Sequence, residues 1–183
     1  MSQVDRRILK SQKAIKKAVT ELMSEKRFDQ ITVQDIVDRA DVSRKTFYLR
    51  YLDKFDLLDK LIEEHINEMQ KICESASETD DLAEGMTWFE YFEDNYSFFS
   101  ALLDSKGAPF FRSRLLNFVI EDMKNGWDIN IKEGKNQGLN EDVLLQFFGA
   151  AYVQVVEWWF TNEMPYPPHV MEEQIEILLE RNL

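Results

Sequence analysis

Cysteine is nearly absent. Cys73 stands alone, so the chain can form no internal disulfide and no cysteine-based zinc cluster, and nothing demands an oxidising compartment. Glycine and proline are scarce, with six and four in 183 residues, which excludes collagen-like and loop-dominated chains. Histidine occurs twice, as His65 and His169. Neither sits in a metal-ligand spacing or beside a nucleophile, so both are expected at the surface or at helix ends. There is no phosphate-cradling glycine loop and no dinucleotide fingerprint, and the carboxylates are scattered in a way that suits solubility better than acid–base work. The chain therefore reads as a non-enzyme with no cofactor and no metal. Its start lacks an apolar signal-peptide core, and no uninterrupted run of about 18 apolar residues occurs. The expectation is a cytoplasmic protein with no membrane partner.

What is present is 44% hydrophobic and 31% charged, a profile of a folded helical protein and not of a disordered one. The net charge of −12 would oppose nucleic-acid binding if it were evenly spread, because such binding rests on neutralising phosphates with Lys and Arg. It is not evenly spread. Met1 to Lys60 carries 14 Lys and Arg against 10 Asp and Glu, a net of +4, which leaves −16 for the remainder. That asymmetry suggests one end for DNA.

Hydrophobic spacing predicts about nine helices and no strands, an all-α chain. Ile8, Ile15, Ala18, Val19 and Leu22 share one face of a basic helix from about Asp5 to Lys26. Thr32 and Asp35 form a capping-box pattern ahead of Val33, Ile36, Val37 and Ala40, a short second helix. Asp41 and Val42 break it, and Ser43 caps a third, Arg44 to about Leu49, which turns Phe47 inward. Asp53 opens a long fourth helix reaching about Glu74, followed by a polar connection from Ser75 to Asp81. Further helices are expected at Leu82 to Glu93, Tyr96 to Asp104, Pro109 to Ile131, Glu141 to Asn162 and Pro168 to Arg181. The expected domains are a three-helix DNA-binding head, residues 1–53, and an effector and dimerisation domain, residues 54–183.

Two short helices about a tight turn, the second bearing exposed cations, make a helix-turn-helix, a device that puts side chains into the major groove. The run from Ile31 to Leu58 resembles the TetR family of bacterial regulators through Thr32, Ile36, Ala40, Val42, Ser43, Thr46, Tyr48, Tyr51, Lys54, Leu57 and Leu58. The family usually has glycine where this chain has Asp41, a residue that tolerates a left-handed backbone. The resemblance implies that Gln34, Arg44, Lys45 and Arg50 face base edges while Thr32, Ser43, Thr46, Tyr48 and Lys54 hold phosphates. Arg and Lys suit guanine, and Gln suits adenine. The implied partner is double-stranded operator DNA.

From Trp88 onward aromatic residues are dense, a supply that suits either a packed core or an apolar cavity. Trp88, Phe92, Phe99, Phe111, Phe118 and Tyr152, drawn from several helices, are the candidates to line a pocket for an apolar or aromatic small-molecule effector. The segments Tyr96 to Leu116 and Ala150 to Phe160 also resemble the C-terminal region of a subgroup containing a dihydroxyacetone kinase gene activator, which leaves a protein partner as the alternative to a small ligand. Reading two half-sites calls for a homodimer. Phe148, Val155, Val156, Trp159, Ile175, Leu178 and Leu179 on the last two helices are the candidate interface. The reading is thus a transcription regulator, a repressor released by its effector.

Overall fold

The computed structural model describes residues 3–78, 86–126 and 136–182, and the side chains of 7–72, 86–125 and 136–182. Among them are nine α-helices and no strand: α1 Gln3–Glu25, α2 Val33–Ala40, α3 Arg44–Tyr48, α4 Lys54–Glu78, α5 Trp88–Asp94, α6 Tyr96–Leu103, α7 Ala108–Gly126, α8 Glu141–Thr161 and α9 Pro168–Asn182. A 3₁₀ turn, Phe28–Gln30, which the hydrophobic pattern does not announce, links α1 to α2. Helix α4 runs four residues past the expected Glu74. The rest of the expected connection, the start of the helix expected at Leu82, the end of the one expected to reach Ile131, and Trp127 lie outside the described residues.

The chain divides into two compact units. One comprises Met1–His65 with Ser97–Phe111, the other Ile66–Tyr96 with Arg112–Leu183. The core of the first unit is Ile15, Val19, Phe28, Ile36, Phe47, Leu57 and Ile62, all but sealed from solvent. They come from helices whose apolar residues recur at three and four, which is why each helix offers one face. The segment Ser97–Phe111 closes over α4. Phe98 stacks on His65 with ring centroids 4.2 Å apart, and a β-carbon on Gly107 would meet the Leu58 side chain at 2.5 Å, so a larger residue there would have to push that side chain aside. His65 is accordingly half-buried against an aromatic ring and is not the surface residue its spacing suggested.

In the second unit Phe89, Phe92, Leu115, Leu145, Val156 and Trp159 are buried, and Phe89 meets Trp159 edge to face at 5.2 Å. Helix α5 is started by a capping box between Thr87 and Glu90, and α8 by Asn140. Helix α8 is long and apolar enough, by length and composition alone, to cross a bilayer, and 44% of its apolar stretch is buried inside the protein. Leu144, Leu145, Tyr152, Val156, Trp159 and Phe160 form its packed side, and Gln146, Gln154 and Glu157 interrupt the apolar run.

Candidate nucleic-acid interface

Helix α2 is held from its first turn onward. Thr32 accepts from the Asp35 backbone N–H at 3.1 Å while Asp35 accepts from the Thr32 N–H at 2.8 Å, closing the capping box on both sides. Lys26 adds an ion pair to Asp35 at 2.9 Å. The Thr32 N–H, then Lys26 and the Thr32 hydroxyl, hold the Asp35 carboxyl well below its ordinary range, at about 2. From α2, Arg39 forks onto both oxygens of Glu25 at 2.8 Å each, fixing α2 against α1 through paired parallel hydrogen bonds. The turn follows at Asp41, whose φ of 52° and ψ of 48° are left-handed, the conformation for which the family favours glycine and which Asp tolerates. Ser43 then caps α3 through the Thr46 N–H at 3.1 Å.

Lys54 ties the far side of this arrangement together. Its ammonium donates to the carbonyls of Phe28 at 3.0 Å, Asp29 at 2.9 Å and Ile31 at 2.7 Å, and lies over the rings of Phe28 and Phe55. One side chain thereby satisfies the 3₁₀ turn and the strand of chain entering α2. The expected phosphate contact from Lys54 meets an ammonium whose three protons are already committed, and burial lowers its pKa. The geometry of Lys54 is that of a clamp on the head.

The other residues expected at the DNA divide by what surrounds them. Arg44, Lys45 and Tyr48 are exposed on α3, with Arg50 half-buried behind them. Phe47 and Tyr51 face the other way into the core. Arg44, Lys45 and Arg50 form no ion pair among the described residues, whereas Lys26, Arg39 and Lys60 are each bound to a carboxylate. Gln34 is exposed on α2, its amide donating to Asp38 at 2.6 Å. The hydroxyls of Ser43 and Thr46 share one hydrogen bond of 2.8 Å, which leaves one of their two protons to donate elsewhere. The Thr32 hydroxyl donates to Asp35.

Two family models match this chain. Residues 15–61 match the bacterial regulatory proteins of the TetR family, and residues 86–181 match a transcriptional regulator C-terminal region of the same family. The chain belongs to the TetR family. It is a DNA-binding transcription regulator, and the family is one of regulators and not of enzymes. Among solved structures, a TetR regulator from Streptococcus agalactiae is 25% identical, covering 95% of this chain and 96% of that one with a TM-score of 0.64. A regulator from Syntrophomonas wolfei (22% identity, TM-score 0.63, 94% of this chain and 92% of that one) and the dihydroxyacetone kinase operon activator DhaS (21%, 0.63, 94% and 96%) share the fold. In sequence, 62 residues are 36% identical to YxbF of Bacillus subtilis, an uncharacterized helix-turn-helix regulator. The match spans 33% of this chain and 16% of that protein.

The candidate effector residues of this TetR-family chain are divided between the two units. Phe99 and Phe111 pair at 5.3 Å within the first unit, and Phe92 is sealed in the core of the second. These three are packing residues in this structure, because each has neighbours on every side. Trp88, Phe118 and Tyr152 do meet, with centroids 4.9 Å and 5.5 Å from Trp88. Trp88 and Phe118 remain partly open to solvent. A groove of about 470 Å³ lies elsewhere, between α7 and α8, along Leu116, Ala150, Val153 and Gln154 and the ion pair of Arg112 with Glu157.

The candidate interface residues differ in exposure. Val156 and Trp159 are buried inside the unit, and the Trp159 indole N–H donates to the Tyr166 carbonyl at 2.8 Å. Neither presents a surface to a second copy. Phe148, Val155, Ile175 and Leu179 are half-buried, and Leu178 is exposed. Spacing did not single out Val143, Phe147 and Trp158, which form with Ala151 an open stripe along α8, Phe147 with 68% of its surface free. A helix apolar on nearly every side gives no periodic signal to say which side packs within the chain.

Proposed function

We propose that this regulator binds operator DNA as a homodimer through α3, with Arg44, Lys45, Arg50 and Gln34 toward base edges and Tyr48, Ser43, Thr46 and Thr32 toward phosphates. The observation that carries this is that Arg44 and Lys45, exposed on α3, and Arg50 just after it form no ion pair among the described residues. Phosphates and guanine edges are acceptors, and cations already bound to carboxylates would bring little to them. Thr32 can reach a phosphate only by giving up its hydrogen bond to Asp35. The test is binding to duplexes selected from genomic DNA. Arg44→Ala and Lys45→Ala should each cost about 1 to 3 kcal/mol on the selected site. Undiminished binding by the double variant would refute the assignment.

We further propose that the protein acts as a repressor released by an apolar or aromatic effector. Support comes from the partly open cluster of Trp88, Phe118 and Tyr152, whose faces suit a flat ligand. Binding to one state of the folded protein shifts its conformational equilibrium and raises its thermal stability. A compound panel read by melting temperature, repeated with Trp88→Ala, examines this. A partner protein that co-purifies while no compound stabilises the chain would favour the protein-partner reading instead. Loss or gain of transcription when the gene is deleted separates activator from repressor.

A further inference from the structure

Leu49 follows the last residue of α3 and still takes its hydrogen bond, its N–H donating to the Lys45 carbonyl at 3.1 Å. It therefore stands one turn on from Lys45, on the same side of the helix. Phe47 and Tyr51 are turned into the core, yet Leu49 has 71% of its surface open. Scattered exposed leucines are common and mean nothing by themselves. This one lies within Val42 to Leu52, a run with three cations and no carboxylate, and it shares the exposed face of α3 with Arg44, Lys45 and Tyr48. On that face it is the aliphatic member of an otherwise cationic and aromatic set.

The major groove presents donors and acceptors on every base pair and one apolar group on the base edges of unmodified DNA, the C5 methyl of thymine. A side chain that can neither donate nor accept has that methyl as its partner there. We infer that Leu49 is a specificity-determining residue that reads a thymine methyl, next to the bases read by Lys45. This inference rests on the proposed docking of α3 in the major groove. It adds to that docking a discrimination that hydrogen bonding cannot supply, because uracil offers the same O4 acceptor as thymine and differs in lacking the methyl.

The test removes the methyl and nothing else. Duplexes are first selected from a random-sequence library with the wild-type protein, and each thymine of the enriched site is then replaced singly by deoxyuridine. At one or two positions per half-site the replacement should weaken wild-type binding about threefold to tenfold, the scale of one methyl-sized apolar contact. The Leu49→Ala variant should bind the thymine duplex weaker by a similar factor and should no longer distinguish thymine from deoxyuridine there. Its far-ultraviolet circular dichroism and melting temperature should match the wild type, since the side chain is not packed. A thymine preference that persists unchanged in Leu49→Ala, or a wild type indifferent to every replacement, overturns the inference while leaving the docking of α3 intact. A wild-type protein that enriches no sequence overturns both.

Discussion

Lys54 shows how one side chain can hold a turn and the start of a helix together. Its three protons are spent on three carbonyls of the chain that enters α2, a geometry a point-like ammonium can satisfy and a planar guanidinium cannot copy. Lys54→Met should lower unfolding stability by about 1 to 3 kcal/mol, because partly buried acceptors would lose their donor. A shift of the urea midpoint with unchanged slope would show it, and an unshifted midpoint would remove the clamp. Asp41 is a second case. Its left-handed backbone could be anticipated from the turn and the family pattern, since few side chains tolerate it. Glu163 and Met164, also left-handed at φ of 57° and 51°, could not. They sit there because the chain must turn after α8, where Glu163 donates to the Phe160 carbonyl and Met164 to that of Trp159.

Among the elements, α5 and α9 are joined by a group that titrates in an ordinary pH range. Glu172 of α9 accepts from the Phe89 backbone N–H, and its other oxygen, buried, has no hydrogen-bond partner among the described residues. Burial first, and then the charges of Glu176 and Glu90, push its carboxyl up from 4.5 to about 7, with only the Phe89 N–H opposing. The folded protein thus holds a proton that the unfolded chain releases near pH 4.5. The resulting stability is full below that value and is lost as pH rises toward about 7. Glu172→Gln, neutral at every pH, should melt higher than wild type near neutrality and show a flatter melting profile from about pH 5 to 8. Parallel profiles for the two proteins would count against the link. The short helices α2 and α3 were legible because capping residues and a three-four spacing agree over a few positions. The 3₁₀ turn Phe28–Gln30 was not, because the donor that meets its carbonyls, Lys54, stands 26 residues away from Phe28.

For the whole molecule, the exposed stripe Val143, Phe147, Ala151 and Trp158 on α8, with Leu178 on α9, is the surface we propose a second copy covers. A large apolar stripe left in water is unfavourable, and a two-fold pairing of like faces removes it. Phe147→Asp with Trp158→Asp should give a monomer by sedimentation and lose most operator affinity, since two half-sites would no longer be held at a fixed spacing. A dimeric double variant would relocate the interface. The sequence by itself determined the helical class, the helix-turn-helix and its family, because these depend on residue type at short spacing along one chain. Tertiary structure alone decided which aromatics are core and which remain open, that Lys54 holds carbonyls, and which side of α8 is left bare. Those outcomes depend on contacts between residues far apart in the chain. An apolar residue suited to a core is equally suited to a pocket or an interface until its neighbours are in place.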